Sequence, residues 1–87
     1  PDLPSGEGPR LLWVPGRSAF RAGYALRTEW DLPNIGPNSV ALGYNNTASG
    51  GASTSIGQDN TASGDNATSI GLRNTADALA STALGAY

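Results

Sequence analysis

The sequence contains no cysteine, no histidine, no methionine and no lysine. The first two absences remove disulfides, thiol nucleophiles, the usual zinc ligands and an imidazole base, and with them most hydrolytic and redox chemistry. Freedom from cysteine fits a reducing compartment and equally an exposed surface protein that avoids thiols. Large apolar side chains are also scarce. Leu, Ile, Val and Phe make up 15 of the 87 residues, about 17%, below the roughly 20% at which disorder becomes an alternative. Disorder usually needs high net charge as well, and five arginines against seven acids leave only −2. No apolar run approaches the ~20 residues of a membrane span, and none resembles the apolar stretch of a signal peptide. The start at Pro1 without Met and the stop at Tyr87 in mid-pattern predict a segment of a longer chain, with any export signal or anchor elsewhere.

What is abundant is small. Thirteen Ala, 12 Gly, 9 Ser, 7 Thr and 7 Asn supply most of the remainder, a set suited to thin, closely stacked structure. Their distribution divides the chain in two. Residues 1–35 hold four of the five Arg, both Trp, the only Phe and five of the six Pro, and residues 36–87 hold a repeat. The expected organisation is an N-terminal cap segment over 1–35 and a repeat region over 36–87.

In the repeat region an aliphatic-glycine pair recurs at Leu42-Gly43, Ile56-Gly57, Ile70-Gly71 and Leu84-Gly85, each 14 residues after the last, with coils starting near 38, 52, 66 and 80. A short fixed period means stacked coils. Fourteen residues rich in Gly, Ser, Thr and Asn are too few for a helical pair and suit two strands of about five residues plus two tight turns. A weaker period of 7, with Ala41 matching Ala48 and Gly43 matching Gly50, makes each coil two similar halves. The expected fold class is all-β: a parallel β-roll, a solenoid whose successive coils stack as parallel strands ~4.8 Å apart.

Side-chain direction follows from the period of two along a strand. Ser39 and Ala41, with Ser53 and Ser55, Ala67 and Ser69, and Ser81 and Ala83, are always small and fit the inside of a thin roll, where Ala48, Ala62 and Ala76 would meet them. Val40, Leu42, Ile56, Ile70 and Leu84 then form an apolar stripe outside, while Thr47, Ser49, Thr61 and Ser63 make the other outer face polar. A continuous apolar stripe on a roll with almost no core of its own is a partner-binding surface, so these five residues are the candidate oligomer interface. The competing assignment turns Leu42 and its equivalents inward and leaves Ala outside, because a Gly after the aliphatic can redirect the strand.

The segment NSVALGYNNTASG, residues 38–50, resembles the head repeat of the trimeric autotransporter adhesins, the YadA-like heads, whose units read approximately NSVAIGxxSxATG. Later coils depart from it, with Ala52 and Ala80 for Asn and with Thr54, Thr68 and Thr82 for Val. The resemblance covers roughly residues 36–87. It implies a left-handed parallel β-roll assembled as a homotrimer on a bacterial surface, anchored in the outer membrane through regions outside this segment. It also implies a non-catalytic role in attachment to extracellular matrix or to other cells. In some members such motifs are associated with collagen binding, which here would map onto Asn38, Ser39, Val40, Ala41, Leu42 and Gly43. Similar repeats occur in phage-encoded fibres, so a structural fibre segment without adhesive activity is the second reading.

In residues 1–35, Leu11 to Val14 reads as a short strand, Pro15-Gly16 as a turn, Ser18 to Ala22 as a second strand before Gly23, and Tyr24 to Trp30 as a third. An open end of a parallel solenoid exposes unpaired strand edges, so a cap with larger side chains is physically expected. Trp13, Phe20, Tyr24 and Trp30 are the candidates to cover the first coil at Val40 and Leu42.

Other chemistries find little support. Arg10, Arg17, Arg21 and Arg27 could form a patch for nucleic acid, but with a pI near 4.6 and no Lys, surface or inter-subunit salt bridges are the better reading and nucleic acid is not an expected partner. Asp59, Asp65 and Asp77 fall into no common column when the sequence is folded at 14, so no carboxylate ladder for a metal forms. Regular Thr rows occur in ice-binding solenoids. Asn46, Asn60 and Asn74, however, are expected to stack their amides from coil to coil and satisfy the backbone of a turn. No catalytic residue, cofactor or metal site is assigned, and no part of the segment is expected to insert into a membrane.

Overall fold

A computed structural model of the chain describes residues 8–25, 30 and 34–86. Among these there is no α-helix, and every extended element is a strand. A hairpin, β1 (Gly8–Val14) and β2 (Ala19–Ala25), precedes seven strands of the roll: β3 (Val40–Tyr44), β4 (Thr47–Ala48), β5 (Thr54–Gln58), β6 (Thr61–Ala62), β7 (Thr68–Leu72), β8 (Thr75–Ala76) and β9 (Thr82–Ala86). They form two sheets, one of six strands in the order β1-β2-β3-β5-β7-β9 and one of three in the order β4-β6-β8. Pairing within the roll is parallel and offset by 14 residues, as Leu42↔Ile56, Ile56↔Ile70 and Ile70↔Leu84 show. The fold is the β-solenoid that the repeat predicts.

One proportion differs from expectation. The second strand of each coil pairs over only two residues, for example Thr47↔Thr61 and Ala48↔Ala62, not about five. The reason lies in the turn that follows: the N–H groups of Ser49 and Gly50 both donate to Ala62 O, at 3.1 and 3.2 Å, which closes the ladder there.

The corners repeat as strictly as the strands. Asn38, Ala52, Asn66 and Ala80 at one corner, and Asn45, Asp59 and Arg73 at the other, all have φ between 54° and 59°, a left-handed conformation that Asn and Asp tolerate better than Ala. Main-chain bonds run from each corner to the coil before it, as in Ala52 N–H to Pro37 O at 2.7 Å and Asn66 N–H to Gly51 O at 2.7 Å. Gly57 is required between the corners. Its φ is +122°, and a Cβ there would lie 2.1 Å from the carbonyl oxygen of Gly71 in the next coil.

Inside the roll the small side chains close on one another. Ser39, Ala41, Ala48, Ser53, Ser55, Ala62, Ala67, Ser69 and Ala76 are all buried, so the competing inward placement of Leu42 and its equivalents is overturned. In the coils after the first the interior is filled by small Ala and Ser side chains, which leaves a branched aliphatic no place there. Burying hydroxyls and amides is unfavourable unless they find partners, and the asparagine column supplies them. Asn60 Nδ2 donates to Ile56 O and Gly71 O, both at 2.8 Å, and its Oδ1 accepts the N–H of Asn74 at 3.0 Å. Ser55 Oγ donates to Asn60 O and Ser69 Oγ to Asn74 O.

The N-terminal hairpin enters this pattern in an unexpected way. β2 pairs parallel to β3 over Phe20↔Val40, Arg21↔Ala41, Ala22↔Leu42, Gly23↔Gly43 and Tyr24↔Tyr44. It is a rung of the roll, and β1 then adds antiparallel to it. Ser18 has the corner conformation, φ 51°, and Arg17 O accepts the N–H of Asn38 as Pro37 O accepts that of Ala52. Gly23 therefore does not end a strand: its φ of +128° and the 1.9 Å from an added Cβ to Gly43 O place it in the glycine row. The expected third strand from Tyr24 to Trp30 is corrected accordingly. Tyr24 and Ala25 finish β2, residues 26–29 lie outside the described residues, and Trp30 is in a turn.

Candidate functional site

The register of the six-stranded sheet lines up its outward side chains. Val40, Leu42, Ile56 and Ile70 lie outside the roll and are half-buried, because each packs against the coils before and after it. Leu84, on the last described strand, β9, is 66% exposed. These five residues occupy one face, as their spacing predicts.

The face extends beyond these five residues. Leu11 pairs with Ala22, which pairs with Leu42, while Trp13 pairs with Phe20, which pairs with Val40. Paired residues on neighbouring strands share a face, so the apolar surface continues over β2 and β1. Leu11 is 75% and Trp13 56% exposed. The signal was present in the sequence: Ser18 to Tyr24 parallels Asn38 to Tyr44, and both end in Gly-Tyr. Their separation of 20 residues breaks the period of 14, which hid the extra rung.

The four aromatic residues of the expected cap occupy different places. Phe20 lies beside Val40, and Tyr24 stacks on Tyr44 with ring centroids 5.3 Å apart and planes 13° from parallel. Trp13 is one strand further out. Trp30 is not over Val40 and Leu42 but inside the roll, 1% exposed, packed with Ala25, Ala41 and Ala48. Its Nε1 donates to Asn46 O at 3.1 Å. In later coils a serine hydroxyl makes the corresponding bond, and in this coil Ala41 stands where that serine would be.

Beside Trp30 lies Arg21, for which the sequence favours surface or inter-subunit salt bridges. It is fully buried instead. Its side chain points inward at the level of Ala41 and donates to Phe20 O, to Ser39 Oγ at 2.9 Å and to Ala48 O at 2.9 Å. Nε has no partner, and burial pushes the guanidinium down to about 10. Arg17 donates to Ile35 O at 3.0 Å. Arg27 lies outside the described residues, as does the side chain of Arg10.

Of the six motif residues considered for ligand binding, Ser39 and Ala41 are inside the roll, out of a ligand's reach. Asn38 and Gly43 are exposed, and Val40 and Leu42 belong to the apolar face. Two acids hold coil to coil: Asp59 Oδ1 accepts the amide of Asn45 at 2.7 Å, and Asp65 Oδ1 accepts the N–H of Gly51 at 2.9 Å. Among the described residues there is no cavity and no cluster of three or more acidic, His or Cys side chains.

No curated protein and no solved structure is significantly similar to the chain. A family pattern does match, twice and over more than half of the sequence, at residues 35–60 and 62–87. The aliphatic-glycine pairs, the asparagine column and the Val40 to Leu84 stretch of the outward apolar face fall within those spans, and the chain belongs to the YadA head domain repeat family.

Proposed function

We propose that this chain is a non-catalytic adhesin head segment that works as a homotrimer. The apolar face of the six-stranded sheet lines the threefold contact, and the polar face of the three-stranded sheet is turned to the surroundings. Family membership supports an adhesin-type segment, on a bacterial surface and anchored in the outer membrane through other parts of the protein. The observation that carries the reading is the outward row of Leu42, Ile56, Ile70 and Leu84, in register on successive strands. Each branched aliphatic gains roughly 1.5 to 3 kcal/mol on full burial, a large contribution for a roll whose interior is mostly Ala and Ser. Three copies per fibre would also multiply weak contacts to matrix or to another cell into firm attachment.

The segment before residue 36 acts in this reading as a cap, with Trp30 and Arg21 filling the first coil and Phe20 and Tyr24 continuing its outer surface. Sedimentation of the Ile56→Asp variant tests the assembly: the wild type should sediment as a trimer and the variant as a monomer, whereas Gln58→Ala, at an exposed position, should leave the trimer intact. A variant that remains trimeric would refute the proposed interface. A screen of the wild-type trimer against matrix proteins and glycans tests the adhesive role.

A further inference from the structure

We propose that β1 belongs to the self-association face, and that Trp13 and Leu11 pack against the same hairpin of a second copy of this chain and set the axial register of the assembly. The inference rests on the outer face being the self-association surface. Residues 11–14 of β1 are apolar on both sides. Leu12 and Val14 are buried with Ala19 and Ile35, while Leu11 and Trp13 point the other way and remain 75% and 56% exposed. A strand with large apolar residues on both faces has the pattern of one covered on both faces, and only one cover comes from within the described residues.

A second copy is the occupant that the register favours. The row Leu11, Ala22, Leu42, Ile56, Ile70 and Leu84 is continuous across six strands. A copy seated on the Leu42 to Leu84 stretch with its roll parallel reaches the Leu11 level after two more strands, about 10 Å. In a closed rotational assembly about an axis along the stacking direction, every level faces its own equivalent, so the Leu11 and Trp13 level of one copy meets the same level of its neighbours.

That level also supplies information the rest of the row lacks. Ile56 and Ile70 are alike, as are Thr54, Thr68 and Thr82, so a copy displaced by one coil, about 4.8 Å, would still place similar residues together. Trp13 and Phe20 occur at one end only, and a displaced copy leaves the indole uncovered. Buried tryptophans are among the strongest contributors to protein interfaces.

Acrylamide quenching of the two tryptophans tests this without altering the hairpin. Trp30 is buried within one chain, so Trp13 supplies the accessible emission. In the wild-type trimer Trp13 should be shielded, and in the Ile56→Asp monomer it should be quenched several-fold more strongly. A Leu11→Ser/Trp13→Ser double variant with wild-type circular dichroism should dissociate at a protein concentration at least about tenfold higher than the wild type. A trimer with freely quenched Trp13, a monomer in which Trp13 is already shielded by its own chain, or an unchanged dissociation concentration in the double variant would each overturn this inference and leave the trimer reading standing. A wild type that is monomeric at every concentration would remove both.

Discussion

The side-chain oxygen of Asn46 accepts two hydrogen bonds from Asn60, one from its main-chain N–H at 3.1 Å and one from its amide at 3.2 Å. Asn60 then treats the main chain of Asn74 in the same way. This buried column does in the roll what a hydrophobic core does elsewhere: it ties each coil to the next and leaves few interior polar groups unpaired.

Asn60→Ala should therefore be among the most destabilising single changes in the chain. It removes the donor to Ile56 O and Gly71 O and the acceptor for Asn74 N–H. An unsatisfied buried group costs about 1 to 3 kcal/mol, so a total loss of about 3 kcal/mol or more is expected from urea unfolding. A loss below about 1 kcal/mol would mean that the column is not a main source of cohesion.

Two glycine substitutions separate backbone fit from composition. Gly57→Ala should prevent stacking of the second coil on the third, because its Cβ would lie 2.1 Å from Gly71 O at a φ of +122°. Gly16→Ala meets nothing within 4 Å and should be neutral or stabilising by up to about 1 kcal/mol, through the unfolded chain. Thermal melts of the two variants read the contrast directly, and similar melting temperatures would contradict the close approach of the coils.

Trp30 and Ala41 should couple. Trp30→Phe leaves Asn46 O without its indole donor and is expected to destabilise by about 1 to 3 kcal/mol. Adding Ala41→Ser supplies the hydroxyl that Ser55 and Ser69 provide in later coils. The double variant should then recover part of the loss, although Ala41→Ser alone crowds the indole. A double-mutant cycle with no coupling energy would sink the proposed equivalence.

At Arg21, Met should be tolerated better than Ala. Arg21→Ala leaves a cavity and removes three donors, an expected loss of about 2 to 4 kcal/mol, whereas Met fills volume and removes a buried charge that is costly to desolvate. The pH dependence has a definite sign. With a folded value of about 10, below the ordinary arginine value, the unfolded chain binds more protons above about pH 10, so this group's contribution rises with pH there. The wild type should gain on Arg21→Met above about pH 10, and a constant difference would show that the guanidinium stays charged in the fold.

Much of this architecture could be read from spacing alone. A 14-residue period with alternating small and large side chains forces stacking in register, and the permanent smallness of positions such as Ser55 and Ala62 marks the interior. Arg21 and Trp30 were illegible for the same reason that the repeat was clear. Each occurs once, outside the period, and a lone arginine or tryptophan in sequence carries no sign of which way it faces. That β2, itself legible as a strand, is a rung of the roll was hidden because a 20-residue separation replaces the 14-residue one.

By itself, then, the order of residues determined the coil length and the parallel register, because each is a local consequence of periodicity, and it left open whether Leu42 and its equivalents face in or out. Tertiary structure alone decided where the roll begins, that Arg21 and Trp30 fill its first coil, and that Leu11 and Trp13 prolong its apolar face. Those outcomes depend on β2 pairing with β3 across a connection of irregular length, and long-range pairing of that kind leaves no period in the sequence to be read.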